Sequence, residues 1–120
     1  MNIEDFRNYC LSKPGVEEDF PFDETTLVFK VMGKIFALTD LEDDFSANLK
    51  CDPEQALALR EKHPGEVLPG YHMNKRHWNT IMGSSRLSDA EFRYWIDHSY
   101  KLVVTKLPKK LQLELKKKPE

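Results

Sequence analysis

Residues 26–39 constrain the fold more than any other stretch of this chain. Thr26-Leu27-Val28-Phe29-Lys30-Val31 and Lys34-Ile35-Phe36-Ala37-Leu38-Thr39 are two β-rich runs separated only by Met32-Gly33. A two-residue connection of this kind closes an antiparallel hairpin, and glycine takes the positive φ that such turns need. Simple alternation across that turn puts Leu27, Phe29, Phe36 and Leu38 on one face, expected to be buried. The other face then carries Thr26, Val28, Lys30, Ile35, Ala37 and Thr39, a mixed set that is neither core nor ordinary solvated surface.

The remaining elements follow from caps and breakers. Asn2 caps a first helix running to about Ser12, with Ile3, Phe6 and Cys10 toward the core, and Lys13-Pro14-Gly15 ends it. Residues 16–24 are acidic around Phe20-Pro21-Phe22. They read as an extended edge segment whose phenylalanines anchor it to the core. Ala47-Asn48-Leu49-Lys50 is a third strand; with Ala47 and Leu49 inward, Asn48 and Lys50 join the mixed face. Asp52-Pro53 opens a short helix that stops at His63-Pro64-Gly65. Residues 66–74 read as a loop, and 77–82 as a last strand. Ser88-Asp89-Ala90-Glu91 is a capping box that starts the longest helix, with Phe92, Ile96, Ser99, Tyr100 and Val103 as its buried stripe. Pro108 interrupts it, and Leu111 and Leu115 suggest one or two further turns. This order predicts an α+β two-layer sandwich: an antiparallel sheet with helices on one face and its second face largely uncovered.

At 120 residues the chain is expected to be one domain over residues 1–115, with 116–120 a basic tail that frays. Cys10 and Cys51 lack a Cys-x-x-Cys spacing, so neither a zinc ribbon nor a thioredoxin motif is supported. No run approaches the ~18 apolar residues that cross a bilayer. Residues 1–5 do not read as a secretion signal, which makes the cytoplasm the expected location. Net charge is -2, but residues 1–60 carry 6 Lys/Arg against 13 Asp/Glu, and residues 61–120 carry 12 against 7. Such asymmetry can build a basic face on a nearly neutral protein.

Pro69-Gly70-Tyr71-His72-Met73-Asn74-Lys75-Arg76-His77-Trp78-Asn79-Thr80 is too polar for a core and too aromatic for an ordinary loop. Lys75 and Arg76 suit phosphates, while Tyr71, His77 and Trp78 offer stacking planes. Asn74 and Asn79 can meet base edges or backbone. Lys30 and Lys50 on the mixed sheet face could extend the basic surface. An alternative stays open, in which Tyr71 and Trp78 are core anchors and only Lys75 and Arg76 are exposed. The histidines at 63, 72, 77 and 98 match no metal-ligand spacing, and the acidic groups lack the calcium-loop pattern. Ser84 and Ser85 lack a Gly-x-Ser-x-Gly frame. Cys51 precedes a helix N-terminus, which can lower a thiol pKa, but no base can be assigned to it.

Several segments together resemble the MmcQ/YjbR family of small bacterial proteins over nearly the whole chain. They are residues 10–23, the hairpin Leu27 to Lys34, Asn48-Leu49-Lys50-Cys51-Asp52-Pro53-Glu54, the 69–80 stretch, and Asp97-His98-Ser99-Tyr100 followed by Leu107-Pro108-Lys109-Lys110. The resemblance implies a fold like that of the frataxin homologue CyaY, and a "double wing" DNA-binding role. No iron ligand is carried over, because none matches residue by residue.

The leading expectation is therefore a cytoplasmic, non-enzymatic, monomeric DNA-binding protein without cofactor, metal or membrane association. Its contact surface would comprise Lys30, Lys50, Tyr71, His72, Asn74, Lys75, Arg76, His77, Trp78 and Asn79. Two other expectations are an adaptor that binds a protein partner through Val28, Ile35 and Ala37 on the mixed face, and a small-molecule or metal-binding accessory protein.

Overall fold

A computed structural model describes residues 1–70 and 73–118. The described residues form four helices and one six-stranded antiparallel sheet. In chain order these are α1 (Ile3–Leu11), β1 (Val16–Asp19), β2 (Thr26–Val31), β3 (Lys34–Asp40), β4 (Ser46–Lys50), α2 (Pro53–Lys62), β5 (Val67–Pro69), β6 (Trp78–Met82), α3 (Asp89–Thr105) and α4 (Lys109–Lys116). The strand order is β1-β2-β3-β4-β6-β5, with α2 in the connection from β4 to the β5–β6 pair. The fold is an α+β two-layer sandwich. The caps act as the sequence indicates: Asn2, Asp52 and Ser88 each accept a backbone N–H from the first turn, and Ser88 and Glu91 complete a capping box.

The hairpin closes through Met32 and Gly33, both at positive φ (49° and 85°), as a primed two-residue turn requires. Its register is not the simple one. Val31 faces Lys34 and Lys30 faces Ile35, but Phe29 faces Ala37, because a β-bulge at Phe36 inserts one extra residue into β3. Beyond the bulge every side chain of β3 changes face relative to plain alternation. Ala37 and Thr39 are buried opposite Phe29 and Leu27, and Leu38 moves to the second face opposite Val28. The expected Leu27-Phe29-Phe36-Leu38 face is therefore corrected to Leu27, Phe29, Val31, Phe36 and Ala37.

The core lies between this face and the helices. Phe6 and Cys10 of α1, Phe92, Ile96 and Val103 of α3, and Leu115 of α4 pack onto Phe29, Phe36, Ala47, Leu49 and Ile81. Phe6 meets Phe29 edge-on, and Phe36 meets Tyr100 in the same way. The second face is less bare than alternation suggests. Asp19, Val28, Leu38, Asn48, Thr80 and Leu68 form one cross-strand row. Within that row Val28 is buried, and Thr80 Oγ1 donates to Asn48 Oδ1.

Two further expectations are corrected. Phe20 and Phe22 do not anchor the edge strand; they are 45% and 67% exposed in the loop after β1. Asp23 organises that loop, accepting from the amides of Thr25 and Thr26 (3.0 and 2.7 Å). Residues 66–74 also contain strand β5, which pairs with β6 and whose Val67 is buried.

The bulge has a second consequence. Pairing of β3 with β4 covers Ala37↔Leu49 and Leu38↔Asn48 and stops there. The next ladder bond would join Lys50 N–H to Phe36 C=O. Instead the buried Ser99 hydroxyl of α3 accepts from Lys50 N (2.9 Å) and donates to Phe36 O. One side chain thus satisfies both backbone groups of an opened ladder.

Ser99→Ala leaves both groups buried without a partner, which costs about 1–3 kcal/mol for each unsatisfied group. The expected result in urea denaturation is an unfolding free energy lowered by that order, seen as a lower midpoint with m unchanged, while Ser84→Ala at an exposed loop position changes little. A Ser99→Ala midpoint equal to wild type would show that the hydroxyl bridge contributes nothing.

Candidate nucleic-acid interface

Antiparallel pairing decides which loops share an end of the sheet. The Met32-Gly33 turn, the end of β4 at Lys50, the end of β5 at Pro69 and the start of β6 at Trp78 lie together. The loops 20–25, 41–45 and 83–87 lie at the opposite end, where Leu41 N donates to Thr25 O and Gly83 N to Phe45 O. The first end, called here the turn end, collects Lys30, Lys34, Lys50, Lys75 and Arg76, and the C-cap Lys106 of α3 reaches it. The opposite end carries Asp23, Glu24, Glu42, Asp43 and Asp44. The charge asymmetry of the sequence is thus a spatial one, although Glu17 and Glu54 also stand near the turn-end cations.

The individual residues divide into groups. Trp78 faces Lys50 across β4 and β6, half-buried on the second face of the sheet. Gly70 N donates to Trp78 O (2.8 Å), and a Cβ at Gly70 would stand 2.7 Å from the Trp78 Cβ, so glycine is what lets the indole lie there. Lys30 is on the same face, paired with Asp19 at 3.2 Å. Lys75 and Arg76 are exposed and line a cleft of about 440 Å³ with Pro53, Glu54, Leu57 and Arg60 of the α2 region. Asn74 is exposed, but it builds the turn: its Oδ1 accepts from Arg76 N (2.9 Å) and its O from the amides of His77 and Trp78. His77 is half-buried, and its carbonyl accepts from Cys51 N (2.8 Å). Tyr71 and His72 lie outside the described residues.

Asn79 is removed from the contact surface. It is 1% exposed and points to the helix side, where its Nδ2 donates to Ala56 O and its Oδ1 accepts from Arg60 Nε (2.8 Å). Arg60 in turn donates to Lys75 O (2.7 Å), so Asn79 holds the loop rather than meeting a partner. Ala37, expected to serve a protein partner on the mixed face, is likewise buried in the core, and Val28 is buried too.

Sequence reading missed Lys34 and Lys106. They line one recess with Lys50, over Ile35, Val103 and Leu107. Partial burial lowers the Lys50 ammonium from its ordinary value, and the neighbouring Lys106 charge adds to this. The thiols are inert: burial first, then the adjacent Asp52, pushes Cys51 up to about 12, and burial raises Cys10 as well.

Residues 11–102 match the model of the family described as YjbR. The chain belongs to the YjbR family. It is 36% identical over 109 residues to the uncharacterized protein YjbR of Escherichia coli (strain K12), covering 90% of this chain and 92% of that one. It is 39% identical over 107 residues to the uncharacterized protein YbdF of Escherichia coli O157:H7, covering 88% and 87%. Among solved structures, Deinococcus radiodurans protein DR2400, a DUF419 domain, superposes with a TM-score of 0.90 at 38% identity, over 95% of this chain and 87% of that one. A Pseudomonas syringae protein superposes at 0.74 with 28% identity, over 85% and 98%.

The Asp97-His98-Ser99-Tyr100 segment, one of those that carry the family resemblance, is structural here. Asp97 accepts from Tyr9 Oη (2.7 Å) and from Lys13 Nζ. Tyr100 Oη donates to Pro14 O (2.7 Å). His98 Nε2 accepts from Asp52 N (3.2 Å), which ties α3 to the start of α2 and leaves the ring proton on Nδ1. Burial holds the His98 pKa below its ordinary value.

Because the folded pKa is depressed, the folded state favours neutral His98. Its contribution is present above the unfolded value of about 6.5 and lost as pH falls through the lower folded value. Unfolding free energy of the wild type is expected to fall as pH is lowered from about 7 to about 5. His98→Gln keeps an acceptor without titrating, so its profile should be flatter over that window. Parallel profiles for the two proteins would remove His98 from this account.

Proposed function

We propose that this protein is a non-enzymatic DNA-binding protein that meets the duplex backbone with its turn end. The observation that carries the reading is the gathering of Lys30, Lys50, Lys75 and Arg76 at one end of the sheet beside the half-exposed indole of Trp78. Lys75 and Arg76 sit at the tip of the β5–β6 loop, exposed, and take the phosphate contacts that fix register. Trp78 supplies a flat apolar surface next to Lys50, suited to a sugar or an unstacked base. The inert thiols, and the structural engagement of Asp97 and His98, fit a binding protein better than a catalyst.

A second reading, a protein partner, is favoured by a different surface. Phe20 and Phe22, with Leu41 at 46% exposure, stand in the two adjacent acidic loops of the opposite end. Exposed apolar side chains rimmed by carboxylates suit a partner that is both basic and apolar.

Fluorescence anisotropy with a labelled duplex, titrated across salt, separates the two. Affinity is expected to fall steeply with salt, and Lys75→Ala with Arg76→Ala should weaken binding to unrelated sequences alike. The double variant should also reduce the log-log salt slope by roughly 2, about 0.9 per phosphate contact. Salt-independent binding, or none at low ionic strength, would defeat the DNA reading.

A further inference from the structure

We infer that the recess between the β2–β3 turn and the end of α3 is a discrete site for a phosphate monoester. This goes beyond the DNA reading and does not rest on it. Lys34 from the start of β3, Lys50 from the end of β4 and Lys106 from the C-cap of α3 line a cavity of about 180 Å³ floored by Ile35, Val103 and Leu107. Among the described residues no carboxylate lines it, and no ion pair or side-chain hydrogen bond engages any of the three ammonium groups. Elsewhere Arg7 is neutralised by Glu18, Lys13 by Asp97 and Lys30 by Asp19, while Arg60 is held by Asn79 Oδ1 and Lys75 O.

Like charges lining one opening repel each other, as the Lys106 charge acts on Lys50, and an anion between them relieves that repulsion. The competing effect is the negative end of α3. It is largely closed, because Val103 O and Val104 O accept from Lys106 N, Val104 O also from Leu107 N, and Thr105 O and Leu107 O from Gln112 Nε2. The recess lies where the β3–β4 pairing has stopped, beside the start of β3 and the end of β4. The volume lies below the ~300 Å³ at which drug-sized ligand pockets begin. One compact anionic group fits it, with the rest of the ligand outside. A monoester dianion presents three terminal oxygens to three ammonium donors, whereas a backbone diester presents one charge and fewer free oxygens.

The test is amide NMR with inorganic phosphate against chloride at matched ionic strength. Saturable shifts at Lys34, Ile35, Lys50, Lys106 and Leu107 are expected. Lys34→Ala with Lys106→Ala, both at exposed positions, should weaken phosphate binding by about tenfold or more, and Lys109→Ala with Lys110→Ala should not. Equal losses in the two double variants, or shifts centred on Lys75 and Arg76, would overturn the site. A 5′-phosphorylated oligonucleotide compared with its 5′-hydroxyl form, beside glycerol 3-phosphate, identifies the source of the monoester. A preference for the phosphorylated strand abolished by Lys34→Ala with Lys106→Ala assigns a strand terminus. Equal strand binding with glycerol 3-phosphate shifting the recess assigns a small metabolite, and recess shifts with none of the three phosphates overturn the inference. The loop residues Lys75 and Arg76 are untouched in this variant, so duplex binding and phosphate binding can fail separately.

Discussion

The architecture depends on a hydroxyl group placed where two strands part. Past Ala37↔Leu49 the β3–β4 ladder opens, and Ser99 takes up Lys50 N–H and Phe36 C=O. Either group left dry would cost about 1–3 kcal/mol, a large share of the 5–15 kcal/mol that holds a domain together. The bulge at Phe36 and the Ser99 bridge are therefore one device. The bulge places Phe36 under Tyr100 and swings the start of β3 away from β4, and the hydroxyl makes that divergence tolerable. A threonine could supply the oxygen, but its extra methyl would need room at a site with no exposed surface.

The four residues around this point bind four different things. Consecutive helix positions point about 100° apart, so Asp97, His98, Ser99 and Tyr100 sweep round α3. Asp97 reaches α1 through Tyr9 and the following loop through Lys13. His98 reaches the amide that starts α2, Ser99 the sheet, and Tyr100 the carbonyl of Pro14. These four polar residues of α3 are the joints of the scaffold. The periphery they hold in place is the β5–β6 loop, the turn end and the recess.

Most of the fold was legible because its signals are local. Asn2, Asp52-Pro53 and Ser88-x-x-Glu91 mark helix starts, and Met32-Gly33 marks the hairpin, each through contacts a few residues apart. What failed was non-local. Nothing in Lys34-Ile35-Phe36-Ala37 announces a bulge, whose Phe36 carbonyl is taken up by an α3 hydroxyl far along the chain, so plain alternation puts Ala37 and Leu38 on the wrong faces. Asn79 resembled a contact residue because a side-chain amide reads alike whether it meets a base edge or, as here, Arg60 and Ala56 O. Phe20 and Phe22 were assigned to the core on hydrophobicity alone, and apolar side chains do not all find cover. Lys34 and Lys106 carry no motif; only the meeting of a hairpin turn with a helix C-cap makes them neighbours.

The net charge of -2 would suggest a protein that avoids polyanions, yet it is the wrong quantity for this molecule. β3, seven residues long, spans roughly 20 Å at about 3.3 Å per residue, and it separates the acidic loops from the turn end. At physiological ionic strength charges are screened over about 8 Å, so the carboxylates of one end are more than two screening lengths from the cations of the other. An approaching phosphate meets the local field, set by Lys34, Lys50, Lys75, Arg76 and Lys106 against Glu54 and Glu17. Lowering the salt lengthens the screening distance toward 30 Å at about 0.01 M and lets the acidic end oppose approach again. The two ends therefore act independently at cellular salt and partly offset each other at low salt. This trims the gain of electrostatic attraction on dilution without reversing it, and it makes the orientation of approach, rather than the total charge, the quantity that matters.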